Sequence, residues 1–265
     1  TKQAILDQHA GGEGFTVAYP PDAVLFVTST QDVADAIVFC AKHAVPVIPF
    51  GAGTSLEGQV QAVNGGLCID MSEMCKVIAV NPEDLDCRVE AGVTREQLNL
   101  EIRDQGLFFP PDPGANATLG GMASTRASGT NAMRYGTMRE LTLGLTVVTP
   151  QGKVIRTGGR ARKSSAGFDL TKLYIGSEGT LGVITELQVP LFGVPETIAA
   201  ASVQFPELAN ATQAVQLILQ LGIPMARIEL LDALQMKACI AYSKLDAFEE
   251  KPTLFLEFHG SPAGV

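Results

Sequence analysis

The sequence has no block of lysine or arginine and no long apolar run. Its 265 residues carry 19 Lys and Arg against 28 Asp and Glu, which gives a net charge of -9. A chain this acidic offers little attraction to nucleic acid or anionic lipid, so we expect neither as a partner. No stretch approaches the roughly 18 apolar residues of a transmembrane helix. Residues 1–10 are polar and lack the apolar centre of a signal peptide, so we expect no targeting peptide in this sequence.

Cysteine and histidine are sparse, and neither has a metal-binding spacing. The five cysteines include no CxxC pair, and an odd, scattered set suits a reducing compartment. Cys40 and Cys68 lie in apolar patterns and are expected to be small buried residues. His9, His43 and His259 are far apart and form no HxxxH motif. We therefore expect no metal site built from this chain alone.

The composition is that of a folded protein. Hydrophobic residues make up 46% of the chain and charged residues 18%. The length allows one large domain or two modest ones.

The stretch Pro49 to Leu56, PFGAGTSL, is the feature around which we interpret the sequence. It follows a short apolar run that predicts a buried strand. Gly51 and Gly53 lack a Cβ, so main-chain N–H groups can approach a bulky anion closely. Thr54 and Ser55 add hydroxyl donors, and together these groups can form an anion nest for a phosphate or pyrophosphate. An ordinary tight turn is the alternative interpretation.

The residues before this turn predict a β-α-β unit. Val24 to Thr28 and Val45 to Phe50 have strand character, and helical spacing begins near Gln31 after a capping Ser29 or Thr30. A ligand at the carboxyl end of the second strand is usual in α/β sheets. The ordinary dinucleotide fold continues from such a turn directly into a helix. Here residues 59–66 have loop character and Leu67 to Asp70 predicts another strand.

The rest of the chain predicts a mixed architecture. Residues 77–189 alternate helical patterns with strands, including a Thr94 capping box and a hairpin over 141–157. From about residue 193 a β-α-β-α-β order indicates a second domain. That domain stops just after a strand, so we expect the chain to be cut short at its C-terminus.

Two further stretches are poor in side-chain bulk. Residues 108–136, FFPPDPGANATLGGMASTRASGTNAMRYG, are dense in Gly, Ala, Ser and Thr, which allows backbone to lie against a flat ligand. A tightly packed helix of small residues is the alternative for 117–127. Residues 174–184, YIGSEGTLGVI, place glycines at every third position, which is too frequent for a helix interior. They predict either another wall of the same site, with Glu178 bonding the ligand, or a plain loop between two strands.

These stretches closely resemble flavoproteins of the vanillyl-alcohol-oxidase type, and within them the FAD-linked D-lactate and D-2-hydroxyacid dehydrogenases. The resemblance is carried by PFGAGTSLEG (49–58), PPDPGANATLGGMASTRASGTNAMRYGTMR (110–139), RARKSSAGFDL (160–170) and GSEGTLGVIT (176–185). ARIELLD (226–232) and PTLFLEFHGS (252–261) extend it toward the C-terminus. The resemblance implies an α+β fold of PCMH type: an FAD-binding domain of two α+β subdomains over residues 1–192, followed by part of an α+β substrate (cap) domain over 193–265.

The resemblance also implies which residues contact FAD. The first block would bind the cofactor, and the main-chain N–H groups of its turn would bind the pyrophosphate. The residues of this block are Pro49, Phe50, Gly51, Ala52, Gly53, Thr54, Ser55 and Leu56. Residues near the isoalloxazine and ribityl parts would be Pro113, Gly114 and Ala115. The middle of the cofactor would be lined by Gly120, Gly121, Ser124, Ser128, Gly129 and Tyr135. The adenosine side would be closed by Glu178, Gly179 and Ile184. Relatives with covalent flavin use a His or Cys near the Gly-rich turn; this turn has neither, so we expect non-covalent FAD.

The resemblance further implies the activity: oxidation of D-lactate or a related D-2-hydroxy acid, with hydride transfer to flavin and electrons passed to cytochrome c or a quinone, in mitochondria. Such dehydrogenases continue beyond residue 265 into a His-rich region thought to bind a divalent metal, zinc or manganese, and to hold the base. Nothing in this chain matches that region, so we expect no catalytic residue here. The alternative is a flavin-holding fragment or subunit without turnover of its own. A reductase of cell-wall precursor synthesis is a third hypothesis, which the likeness at 226–232 argues against.

Overall fold

The computed structural model describes residues 2–12, 14 and 17–265. Thr1, the first residue of the polar N-terminal stretch, lies outside the described residues. The helices of the described part are α1 (Gln3–Gln8), α2 (Thr30–His43), α3 (Arg95–Ile102), α4 (Leu119–Ser124), α5 (Ala132–Tyr135), α6 (Leu170–Tyr174), α7 (Leu208–Gln220) and α8 (Ala233–Ser243).

The strands alternate with these helices, and the α+β prediction is confirmed. They are β1 (Ala23–Phe26), β2 (Val47–Phe50), β3 (Leu67–Asp70), β4 (Val77–Asn81), β5 (Asp86–Glu90), β6 (Leu107–Phe108), β7 (Gly144–Val148), β8 (Val154–Gly158), β9 (Val183–Pro190), β10 (Phe192–Gly193), β11 (Thr197–Gln204), β12 (Met225–Leu231) and β13 (Thr253–Gly260).

The chain forms two compact units. Unit 1 comprises residues 1–129 and 137–193, and unit 2 comprises residues 130–136 and 194–265. The short segment 130–136, which includes α5, therefore belongs to unit 2 although it is flanked by unit 1 on both sides in sequence.

A three-stranded parallel sheet in unit 1 has the order β1-β3-β2. Parallel strands require a crossover, and α2 supplies it between β1 and β2. The Ser29 hydroxyl caps α2 by accepting from the Asp32 N–H at 3.2 Å, and Ala44 ends the helix with a left-handed φ of 52°. The apolar side of α2 is buried, including Val33, Ile37 and Cys40. The Gly-rich turn then leaves the carboxyl end of β2, as predicted.

A five-stranded antiparallel sheet completes unit 1, in the order β4-β5-β9-β7-β8. Strand β7 is buried along its whole length, so this sheet forms much of the core. The Thr94 side chain caps α3 as predicted, accepting from the Gln97 N–H at 3.2 Å. The loop before β9 connects this strand to helix α6. The interpretation of residues 174–184 as a loop between two strands was therefore wrong.

Unit 2 is a three-stranded antiparallel sheet of order β11-β13-β12 with helices α5, α7 and α8. Helix α5 packs on β12. The Asn131 side chain just before α5 accepts a hydrogen bond from Arg227 Nε at 2.9 Å, which ties the helix to β12. The β-α-β-α-β order predicted from about residue 193 is present over residues 197–260.

Candidate cofactor site

The Gly-rich turn presents a row of main-chain donors. Residues 51–56 follow β2, whose last carbonyl, Phe50 O, accepts from the Met71 N–H at 3.0 Å. The N–H groups of residues 51–56 donate to no acceptor within the described part of the chain. Successive N–H groups without protein acceptors form an anion-binding concavity. The main-chain donors of the turn are therefore available, as the predicted anion site requires.

Close packing explains the two glycines of this turn. A Cβ at Gly51 would lie 2.3 Å from Thr118 Oγ1, and one at Gly53 would lie 2.7 Å from Phe50 Cζ. Gly53 also has a φ of 68°, a left-handed conformation that side chains disfavour. The turn is thus pressed against Thr118, the residue that begins α4.

The second small-residue stretch contains the short helix α4, which confirms the alternative of a tightly packed helix for residues 119–124. Thr118 Oγ1 accepts from the Gly121 N–H at 3.3 Å and caps the helix. The Gly120 N–H donates to Ala91 O at 2.8 Å, and a Cβ at Gly120 would lie only 2.6 Å from Ala91 Cβ. Glycine at this position allows α4 to lie directly on the end of β5.

The third stretch is joined to the other two. The Gly176 and Glu178 N–H groups each donate at 2.9 Å, to the carbonyls of Ala123 and Ser124 at the end of α4. A Cβ at Gly179 would lie 3.3 Å from Pro49 Cγ, just before the Gly-rich turn. The three stretches, distant in sequence, are therefore neighbours in unit 1.

One cavity of unit 1 is lined by all three stretches. Fifteen of the predicted cofactor contacts line it: Pro49, Phe50, Gly51, Ala52, Gly53, Thr54, Ser55, Pro113, Ala115, Gly120, Gly121, Ser124, Glu178, Gly179 and Ile184. Five predicted contacts do not: Leu56, Gly114, Ser128, Gly129 and Tyr135.

The five outliers have different surroundings. Leu56 is 68% exposed, and Ser128 is exposed as well. Gly114 has open space where a Cβ would lie, whereas a Cβ at Gly129 would lie 2.3 Å from Asp112 Oδ1. Tyr135 belongs to unit 2, where its hydroxyl lies 2.9 Å from His259 Nδ1.

Sequence reasoning missed several lining residues, of which Gln59 is the most polar. Its Nε2 donates to Ser55 Oγ at 2.8 Å, while its buried Oε1 has no hydrogen-bond partner within the described residues. Met71 and Ala91 also line the cavity from the ends of β3 and β5. No local pattern distinguishes them, because they reach the cavity only through sheet pairing. Gly182 lies within a stretch already predicted and could have been included.

Few of the described residues that line the cavity can carry a charge. Glu178 is the one ionisable residue among them. Partial desolvation and the neighbouring Glu57 carboxyl raise the pKa of the Glu178 carboxyl above its usual value of 4.5. The donors that the described lining offers to an anion are therefore N–H and hydroxyl groups.

Reactive side chains near the sheet are already engaged or buried. His9 packs against Phe50 with 4.5 Å between ring centroids, and its two nitrogens contact Ile5 O and Asp70 Oδ2 at 2.7 and 2.8 Å. The cysteines are free thiols, and burial raises the pKa of Cys68 and of Cys87 to about 12. The described residues contain no cluster of three or more His, Cys, Asp or Glu side chains suited to a metal ion. Nor does any described helix combine the length and hydropathy needed to cross a bilayer.

Comparison with protein families matches most of the chain. A family described as "FAD binding domain" matches residues 21–158, and "FAD linked oxidases, C-terminal domain" matches residues 194–265. The chain belongs to the family described as "FAD binding domain". FAD is the cofactor of this family.

The relatives of this FAD-binding chain include mitochondrial enzymes. A probable mitochondrial D-lactate dehydrogenase of Danio rerio is 48% identical over 97% of this chain and 52% of its own length. A mitochondrial D-lactate dehydrogenase (cytochrome) of Arabidopsis thaliana is 46% identical over 92% of this chain and 43% of its own length. The chain thus spans about half the length of the curated relatives it matches.

Solved structures give the same fold. Alkyldihydroxyacetonephosphate synthase superposes with a TM-score of 0.85 over 99% of this chain and 53% of that chain, at 24% identity. At this identity the likeness establishes the fold alone.

The cavity fits a dinucleotide cofactor on physical grounds. The N–H groups of residues 51–55, which donate to no acceptor within the described residues, suit a diphosphate. The Gln59 Oε1, which has no hydrogen-bond partner among the same residues, can accept from a ligand hydroxyl or amine. Small residues on α4 leave room for a flat ring beside the backbone.

Proposed function

We propose that this chain is the FAD-holding part of a dehydrogenase that oxidises D-lactate or a related D-2-hydroxy acid to the 2-oxo acid. The observation that supports this most directly is the single cavity onto which three Gly-rich stretches converge. Family membership and the printed names of the D-lactate dehydrogenase relatives support the substrate class. In this proposal residues 1–192 are the FAD-binding domain and residues 193–265 are part of the substrate domain.

The residues proposed to hold FAD have distinct tasks. The N–H groups of residues 51–55 bind the diphosphate, and the hydroxyls of Thr54 and Ser55 add donors. Backbone of residues 113–124 lies along the flavin and ribityl parts. No His or Cys lines the cavity among the described residues, so the cofactor is held without a covalent bond.

FAD held by these residues would supply a two-electron acceptor for the α-hydrogen of the hydroxy acid, which we propose is transferred as hydride to flavin N5. The protein must exclude water and place a base at the substrate hydroxyl. We propose that electrons leave to cytochrome c or a quinone, and that the protein works in mitochondria like the named relatives.

A second function is favoured by what lines the cavity. Glu178 is the one ionisable lining group among the described residues, which include no metal-binding cluster. A chain with this lining can hold a flavin while the base comes from residues outside residues 1–265. In this alternative the chain is a flavin-holding fragment or subunit.

Two measurements separate these functions. First, purified chain is titrated with FAD, and a flavin absorption band that co-elutes with the protein in gel filtration is the expected result; no binding would contradict both functions. Second, D-lactate, L-lactate and D-2-hydroxyglutarate are added without oxygen to the FAD-loaded chain. Bleaching by a D-acid supports the dehydrogenase, and a stable oxidised spectrum with every acid supports the holding function.

A further inference from the structure

The N-terminal segment of unit 1 packs on the carbonyl groups of the Gly-rich turn. A Cβ at Gly12 would lie 2.7 Å from Ser55 O and 3.3 Å from Gly53 O. A Cβ at Gly14 would lie 2.3 Å from Leu56 O. These distances leave no room for a side chain, so the two glycines allow backbone to pack directly on backbone.

This segment is fixed to the rest of unit 1 on both sides of its glycines. We call its described residues, 9–12 and 14, the N-terminal strap. Before the glycines, the buried His9 contacts Asp70 Oδ2 at 2.8 Å, and its ring packs on the aromatic side chain that ends β2. The Ala10 carbonyl accepts from the Tyr19 N–H at 2.7 Å. The strap is therefore anchored to the same strands that lead to the cavity.

The contacts with the turn carbonyls decide where the N–H groups of the turn point. The peptide bonds of the turn are trans, so the C=O of one residue and the N–H of the next lie on opposite sides. Because the strap lies on Gly53 O and Ser55 O, the N–H groups of Thr54 and Leu56 point away from it. No described strap residue lines the cavity, whereas residues 53–55 do. The strap thus supports the row of donors from outside the cavity.

We propose that the N-terminal strap positions the Gly-rich turn for a diphosphate and thereby sets the affinity for FAD. This inference rests on the proposed function, in which the N–H groups of residues 51–55 bind the diphosphate. The strap precedes residues 21–158, which match the FAD binding domain, so it is a support outside the matched domain. Its residues act through the turn and are positioning residues.

The strap acts on affinity through preorganisation. A row of donors that is already aligned loses little conformational freedom when an anion binds. A turn that is free to reorient must be ordered during binding, which weakens the affinity. The coupling works in both directions, so bound FAD must also hold the strap more firmly against the turn.

Gly12→Ala tests the contact directly. Its Cβ would meet backbone oxygens, which cannot move aside like the end of a flexible side chain, so the strap and the turn must separate. We expect FAD to bind at least about tenfold more weakly than to the wild type, measured by isothermal titration calorimetry with the cofactor-free chain. Gly11→Ala is the matched control, because its Cβ would approach the side-chain amide of Gln61 at 3.3 Å and no backbone atom. It should bind FAD as the wild type does.

Gly14→Ala provides a second variant if Gly12→Ala fails to fold. Gly14 is exposed, and the three atoms nearest to its Cβ would all belong to Leu56. The turn is therefore displaced with little effect on other contacts, and FAD binding should again be weaker. Circular dichroism of each cofactor-free variant checks that it is folded.

Hydrogen exchange separates positioning from a general change in stability. The Tyr19 N–H reports on the strap because it donates to Ala10 O, and the amides of β7 report on unfolding of unit 1. In the wild type and in Gly11→Ala, FAD should slow exchange at Tyr19 more than exchange in β7. In Gly12→Ala this additional slowing should disappear, since the strap and the turn are no longer in contact.

The outcomes separate the two hypotheses. Wild-type affinity for FAD in Gly12→Ala and Gly14→Ala would overturn the positioning role and leave the proposed function standing. So would a wild-type chain in which FAD slows exchange at Tyr19 no more than in β7, a result that does not depend on any variant folding. Failure of the wild type to bind FAD would overturn the proposed function and the role of the strap with it.

Discussion

Each of the two compact units buries a histidine, and the two rings are satisfied in different ways. In unit 1, both nitrogens of His9 face acceptors, the Ile5 carbonyl and the Asp70 carboxylate. In unit 2, His259 Nε2 faces the Glu257 carboxylate at 2.6 Å, and its Nδ1 faces the Tyr135 hydroxyl. Both histidine side chains are only 5% exposed.

The difference lies in how many protons each arrangement needs. A neutral imidazole donates at one nitrogen only, so the contacts of His9 require an additional proton on the ring or on Asp70. His259 needs none, because a hydroxyl can donate to Nδ1 while Nε2 donates to Glu257. Glu257 has a further partner in Arg227, at 3.2 Å. The second carboxylate oxygen of Asp70 accepts from the Ser72 N–H at 2.7 Å, so a backbone group supports the buried pair of unit 1, whereas a charged side chain supports that of unit 2.

His9→Ala should cause the largest loss of stability among these variants. It removes the histidine partner of the buried Asp70 carboxylate, whose side chain is 7% exposed, and the ring that packs on Phe50. Loss of one partner of a buried pair costs about 3 kcal/mol. Urea unfolding followed by circular dichroism measures the loss, and exposed His43→Ala is the control. Equal stability of the two variants would contradict the assigned role of His9.

Gly51→Ala tests whether close packing or flexibility explains the turn. Its Cβ would lie 2.3 Å from Thr118 Oγ1, which caps α4, so the turn and the helix must separate. Overpacking of this kind costs about 2 kcal/mol. The expected result is a lower urea midpoint together with at least about tenfold weaker FAD binding.

The matched control for Gly51→Ala is Gly159→Ala, since a Cβ at Gly159 would meet nothing within 4 Å. If both variants bound FAD with wild-type affinity, packing against Thr118 would not be what shapes the turn.

His259→Ala is the corresponding variant of the buried histidine in unit 2. The Tyr135 hydroxyl loses its contact with Nδ1, but Glu257 keeps Arg227, so the expected loss is about 1 kcal/mol. Hydrogen exchange should show the change around β13 and α5, with FAD affinity unchanged. A loss as large as that of His9→Ala would show that unit 2 depends equally on one contact.

Glu178→Gln should have the smallest effect on stability, and this effect should appear only above acidic pH. The pKa of Glu178 is raised in the folded chain, so its contribution to stability is fully present below pH 4.5 and is lost as the pH rises through the raised pKa. The variant without FAD should therefore match the wild type at pH 4 and melt slightly higher at pH 8. Thermal unfolding at both pH values checks this, and a variant that melts lower at pH 8 would contradict it.

Local signals in the sequence accounted for much of the structure. Capping residues predicted where helices begin, as Ser29 and Thr94 do, because a cap acts on N–H groups only two or three residues away. Short helices such as α5 and α6 were missed, since a helix of four or five residues has too few positions for a periodic pattern and depends on tertiary contacts.

The sequence by itself determined the mixed fold and the three stretches of small residues, because both follow from the composition of the chain and the spacing of its residues. Only the tertiary structure decided that β3 lies between β1 and β2, that Gln59 and Met71 reach the cavity, and that Tyr135 packs in unit 2. Sheet pairing and cavity walls are formed by residues distant in sequence, and a single chain carries no local mark of which distant partner will be chosen.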